Sequence, residues 1–92
     1  KMKSARVTNP QGLHARSAAT IVKLATLFQS SIELKNDTKV ANAKNIMALL
    51  LLEASKGTEL TVCTNGKDEA QALAEMIGLI EDNFGETSAL SP

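Results

Sequence analysis

The segment Ser4-Ala5-Arg6-Val7-Thr8-Asn9-Pro10-Gln11-Gly12-Leu13-His14-Ala15-Arg16-Ser17-Ala18-Ala19-Thr20-Ile21-Val22 holds two hydrophobic periods, and the change between them decides the fold. Over residues 4–8, Ala5 and Val7 alternate with polar neighbours, as in a strand with one buried face. Asn9-Pro10-Gln11-Gly12 then forms a turn-type cluster. From Ala15 the period becomes helical, with Ala18, Ile21, Val22, Ala25 and Phe28 on one stripe. His14 therefore stands at or next to the N-cap of a helix.

The same reading extends to the rest of the chain. Residues 31–35 alternate, with Ile32 and Leu34 on one side. Asn36-Asp37 turns the chain, and residues 38–42 return as a short strand. A second helix is predicted over residues 44–55, with Gly57 as its stop. Residues 59–64 form a strand, and Asn65-Gly66 turns it. Asp68 is the expected N-cap of a last helix, with Gln71 as its capping-box partner. Ala70, Leu73, Ile77, Ile80 and Phe84 make the stripe of that helix, and Gly85 ends it. Residues 86–92 are expected to be a flexible tail beyond a single domain of residues 1–85. The order β-α-β-β-α-β-α, with one apolar face per helix, implies an α+β two-layer open-faced sandwich. Its four-stranded antiparallel sheet would be covered on one face by three helices.

Composition narrows the function. Ten basic and ten acidic residues leave no basic excess for a nucleic-acid footprint. The aromatic residues are only two, Phe28 and Phe84, too few for a base-stacking surface, so the core must be aliphatic. The longest apolar run, residues 46–52, is far short of the roughly 20 residues a membrane span needs. No signal-peptide pattern opens the chain, and a cytoplasmic location is expected. Cys63, the single cysteine, is expected as a small buried strand residue rather than a reactive thiol.

His14 is the single histidine. A residue at a helix start faces free backbone N–H groups and the positive end of the helix dipole, a place that favours an anion such as phosphate. Arg16, two residues on, adds a guanidinium fork able to hold phosphate oxygens. An imidazole nucleophile, the N–H groups around Ala15 and Ser17, and a guanidinium together suit a transient phosphohistidine. A surface cap is the plainer reading of the same spacing. One histidine without clustered carboxylates is too few ligands for a metal. Ser17 lacks the strand–G-x-S-x-G–helix context of a hydrolase nucleophile. In the second helix, if Leu49 and Leu52 point inward, Ile46, Met47 and Leu50 fall on another arc. That arc is either an exposed docking patch or part of a deeper core.

Gly12-Leu13-His14-Ala15-Arg16 resembles the active-site signature of the HPr family, the phosphocarriers of the phosphoenolpyruvate-dependent phosphotransferase system. The family pattern runs Gly-Leu/Met-His-x-Arg-Pro-Ala at the start of the first helix. Ala43-Lys44-Asn45-Ile46-Met47 resembles the start of the family's second helix. Lys56-Gly57-Thr58 resembles its Gly before the last strand, and Asn65-Gly66-Lys67-Asp68-Glu69 its approach to the last helix. The resemblance covers residues 3–85.

The resemblance implies a carrier rather than an enzyme; no cofactor is expected, and a monomer is expected. His14 would be phosphorylated on Nδ1 by an Enzyme I-type protein and would pass the group to an EIIA-type acceptor. That acceptor would serve sugar transport or nitrogen-related regulation. Arg16 would hold the phosphate, and Ile46, Met47 and Leu50 would form part of the docking surface. Two positions depart from the pattern. Ser17 stands where the family has Pro, and Asn45 stands where many members carry a regulatory serine. Residues 48–57 resemble the nitrogen-related NPr branch more than sugar-system HPr. A binding module of the same fold without phosphoryl transfer, and a small-molecule regulatory domain, are the competing readings.

Overall fold

A computed structural model describes residues 1–86. Strand β1 (Met2–Arg6) leads into helix α1 (Ala15–Ala25). The hairpin β2 (Ser31–Asn36) and β3 (Lys39–Asn42) follows, then helix α2 (Ile46–Leu50), strand β4 (Glu59–Asn65) and helix α3 (Glu69–Glu81), with a 3-10 turn at Asn83–Gly85. The strands form one antiparallel sheet in the order β1-β4-β2-β3. This is the α+β open-faced sandwich the periods imply.

Alternation decides which side of the sheet is covered. Ala5, Ile32, Leu34, Ala41, Leu60 and Val62 point inward. They meet Ala18, Ile21 and Ala25 of α1, Leu49 of α2, and Ala72, Met76, Ile77 and Ile80 of α3. Each large aliphatic side chain taken from water here contributes about 1.5–3 kcal/mol, so the core rests on Leu, Ile, Val and Met. The same alternation turns Cys63 outward, half-buried on the uncovered face, and not into the core as expected.

Several elements differ from their sequence-based bounds. The ladder of β1 begins at Met2 and ends at Arg6 rather than spanning residues 4–8. Val7 leaves it but stays paired, its N–H on Thr58 O at 2.8 Å and its carbonyl taking the Gly57 N–H at 2.8 Å. Helix α2 is far shorter than residues 44–55. Leu49 and Leu52 are both buried, so the chain turns as soon as they are seated. Asn36 Nδ2 donates to the Leu52 carbonyl at 2.8 Å, and Glu53 goes left-handed at φ 53°. Gly57, the expected helix stop, lies instead in the turn before β4 at φ 95°.

Helix α3 presents a different phase from the expected one. Ala72 and Met76 are buried beside Ile77 and Ile80, Leu73 is half-buried, and Ala70 is exposed. Phe84 reaches the core from the 3-10 turn beyond the helix. Asp68 occupies the N-cap position without capping, and Gln71 bonds Glu75. The Asp68 carboxylate is engaged across the fold, accepting from Gln29 N–H and Ser30 N–H, both at 2.9 Å, and from the Ser30 hydroxyl.

One close approach places the site. Leu13 N–H donates to Ala54 O at 2.8 Å, so the loop before α1 lies on the loop after α2. A Cβ on Gly12 would stand 2.6 Å from Ala54 O and 2.8 Å from Ser55 Cα, at a φ of +65°. Only glycine fits there.

Candidate functional site

His14 is the N-cap of α1, in extended backbone. The Gly12 turn and the onset of helical periodicity at Ala15 put it there. Its Nδ1 accepts from Arg16 N–H at 3.3 Å, and its Nε2 lies 2.7 Å from Glu86 Oε2. These partners fix the tautomer: Nε2 carries the proton and donates it to the carboxylate, while Nδ1 keeps its lone pair facing the helix N-terminus. The imidazole is thus paired and about one-quarter exposed, at 26% of its side-chain surface.

Ser17 closes the turn. Its Oγ accepts from His14 N–H at 2.8 Å and lies 3.2 Å from Gly12 O and 3.1 Å from His14 O. Ser17 is fully buried, so the residue standing where the family pattern has Pro does structural work in a reciprocal cap. Ala15 and Arg16 are exposed, and the Arg16 guanidinium has no hydrogen-bond or ion-pair partner among the described residues. The first turn of α1 contains no acidic side chain. The site therefore gathers a nucleophilic nitrogen, the backbone N–H groups of the first helical turn, a helix dipole worth roughly 0.3–1 kcal/mol to a nearby charge, and a guanidinium without a partner among the described residues. That set can take a phosphoryl group and hold its oxygens. Among the described residues no group of three or more His, Cys, Asp or Glu side chains is placed to hold a metal ion.

Two residues of this site were not singled out from the sequence. Glu86, expected at the head of a loose tail, is half-buried against the imidazole, and residues 87–92 of that tail lie outside the described residues. Asn9, expected only as a turn former, is 1% exposed. Its Nδ2 donates to Gly12 O at 2.8 Å and to Glu86 Oε1 at 2.9 Å. The Asn-Pro-x-Gly cluster was a signal for an Asn that bonds back on its own turn. Nothing local marks Glu86.

On α2, Leu49 and Leu52 are buried while Ile46 and Met47 are 37% and 65% exposed. Leu50 does not join them. It packs against the core, and Leu51, 71% exposed, takes its place on the outer arc. This phase goes with the burial of both Leu49 and Leu52. Asn45 caps α2, its Oδ1 accepting from Ala48 N–H at 3.1 Å. Lys44 Nζ donates to Phe28 O at 2.9 Å, which ties the loop after α1 to the turn before α2.

Comparison with known proteins bears on this arrangement. Residues 1–82 match the family described as PTS HPr component phosphorylation site. The Phosphocarrier protein HPr of Treponema pallidum is 42% identical over 85 residues, covering 92% of this chain and 97% of the relative. The Phosphocarrier protein NPr of Klebsiella oxytoca is 36% identical over 81 residues, covering 87% of this chain and 90% of the relative. A crystal structure of HPr from Thermoanaerobacter tengcongensis superposes with a TM-score of 0.89 at 39% identity, covering 95% of this chain and 98% of that one. The structure of that protein described as a dimer gives 0.74 at 41% identity, with coverage of 87% and 92%.

Proposed function

The chain belongs to the HPr family of phosphocarriers, and on that premise we propose that it accepts a phosphoryl group on His14 Nδ1 from an Enzyme I-type protein and yields it to an EIIA-type acceptor in the cytoplasm. The observation that carries this reading is the placement of His14. Nδ1 faces the helix N-terminus while Nε2 is held by a carboxylate. The Nδ1 lone pair forms the N–P bond as the donor's bond to phosphorus breaks, and the electron pair of that bond leaves with the donor. The phosphate oxygens then take up the N–H groups of Ala15, Arg16 and Ser17, and the Arg16 guanidinium closes over them in a charge-assisted contact. The exposed arc of Ile46 and Met47 on α2 and Leu51 at its C-cap is followed by a loop that touches the loop before His14. It suits the docking face for both partners. We take the carrier as monomeric; a sedimentation mass of twice 9.7 kDa would replace this with a dimer.

Incubation with Enzyme I and radiolabelled phosphoenolpyruvate tests the reading. The label is expected to be acid-labile and base-stable, and His14→Ala should lose it. Acid-labile label surviving in that variant would defeat the assignment. Arg16→Ala should slow transfer far more than it lowers thermal stability, since an exposed charge in a first turn contributes little to folding.

A further inference from the structure

His14 is held from two sides, and the second hold comes from the far end of the described chain. We propose that Glu86 is a positioning residue for phosphoryl transfer. It holds the Nε2 proton, so that Nδ1 alone is left as the nucleophile, and its charge offsets the positive ring created when Nδ1 is phosphorylated. The proposal deepens the phosphocarrier reading and rests on it.

The geometry is built from both sides of the carboxylate. Oε2 lies 2.7 Å from His14 Nε2, the length of a charge-assisted bond, and Oε1 accepts from Asn9 Nδ2 at 2.9 Å. Asn9 also bonds Gly12 O, so the loop that presents His14 orients the carboxylate as well. A tail residue does not arrive at such a place by chance. After α3 the chain passes through three successive left-handed residues, Asn83 at φ 54°, Phe84 at φ 58° and Gly85 at φ 75°. For the two non-glycine residues this conformation costs about 1 kcal/mol or more each. Burial of Phe84, 3% exposed, and a hydrogen bond from the Thr8 hydroxyl to the Asn83 amide oxygen hold the turn in place. The turn delivers Glu86 to the imidazole.

The chemistry follows from the proton count. A neutral imidazole has one lone-pair nitrogen and one N–H, and in water the two exchange roles. With Glu86 accepting from Nε2–H, the lone pair stays on Nδ1. When Nδ1 bonds phosphorus, its electron pair becomes the N–P bond and the Nε2 proton stays where it is, so the ring becomes a phosphorylated imidazolium. The adjacent carboxylate stabilises that cation and the transition state leading to it. When the acceptor attacks, the N–P pair returns to Nδ1 and the ring is neutral again. No reactant enters beyond the phosphoryl donor and acceptor. A merely structural Glu86 would tether the chain end and nothing more.

Full-length chain with 15N-labelled His14, compared with Glu86→Gln and Glu86→Ala, separates the two roles. His14 is the sole histidine, so its ring signals stand alone. In wild type, the Nε2 proton should be observable and protected from exchange. It should broaden into the solvent signal in Glu86→Ala. Rapid-quench transfer from Enzyme I should slow about ten- to a hundredfold in both variants, the size expected for losing a hydrogen bond to a charged group. Glu86→Gln is the deciding case, because it keeps the reach and an acceptor oxygen but not the charge. A Gln variant that transfers at the wild-type rate with unchanged ring signals would reduce Glu86 to a tether and overturn the proposal. Failure of wild type itself to take label would instead defeat the carrier reading, and Glu86 would fall with it.

Discussion

Replacing Ser17 with Ala would remove one oxygen from the best-connected point of the α1 N-terminus. That hydroxyl accepts from His14 N–H at 2.8 Å and returns its proton to Gly12 O at 3.2 Å or His14 O at 3.1 Å. The side chain is fully buried, so water cannot simply take over these bonds. A lost N-terminal capping contact costs about 1 kcal/mol, and a buried donor left without an acceptor about 1–3 kcal/mol. Alanine's better helix propensity returns about 0.5 kcal/mol. The net expectation is a destabilisation of about 1.5–3.5 kcal/mol. For a domain of this size that lowers Tm by roughly 6–28 °C. Differential scanning calorimetry and urea titration, the latter with an unchanged m-value, would both show it. The His14 backbone also loses a restraint, so transfer should slow in step. A Tm within about 1 °C of wild type would refute the argument, because an unsatisfied buried N–H should lower it by several times that.

Three further outcomes are expected. The Asp68 carboxyl is held down to about 2 from its ordinary 3.8, first by the Ser30 hydroxyl and then by the Gln29 amide. Its stabilisation is therefore whole above about pH 4 and lost as pH falls through about 2. The Tm gap between wild type and Asp68→Asn should close over that window, and a gap constant from pH 6 to 2 would contradict this. Leu49→Ala should cost about 2–5 kcal/mol by urea unfolding, whereas Met47→Glu should leave the midpoint nearly unmoved but weaken Enzyme I binding in calorimetric titration; a large stability loss for Met47→Glu would put that residue in the core. Asn45→Asp keeps the cap on Ala48 N–H but adds a negative charge beside the exposed arc, so the domain should fold normally and bind Enzyme I more weakly at low salt; equal affinity would show that charge at this position is irrelevant.

The strands and the position of His14 could be read from the sequence because each rests on a local period. Ala5 and Val7, Ile32 and Leu34, and Leu60 and Val62 alternate, and the switch to helical spacing at Ala15 leaves His14 at the cap. The extent of α2 could not be read, because residues 46–52 are apolar without a break and carry no mark of where the helix stops. Its end is decided by the seating of Leu49 and Leu52, a tertiary event that also moves Leu50 off the outer arc. In α3 the run Ala70-Gln71-Ala72-Leu73-Ala74 fits more than one phase, and the choice falls to packing on the sheet. Glu86 is 72 residues from His14, and no local pattern reports a contact across that span.

The contact at Gly12 has a consequence for how this chain can be altered. With Leu13 bonded to Ala54, and no room for a side chain on Gly12, the loop bearing the imidazole and the loop leaving α2 behave as one welded joint. Neither can be lengthened on its own without prising them apart, and a longer loop on either side would shift the reactive nitrogen relative to whatever grips the neighbouring helix. Rewriting the surface is a different matter. Ile46, Met47 and Leu51 could be exchanged to redirect the choice of partner, because none of them takes part in the joint. Added chain, such as a reporter or an affinity loop, belongs at the exposed hairpin tip of Asp37 and Thr38, where the backbone already turns left-handed at φ 58°.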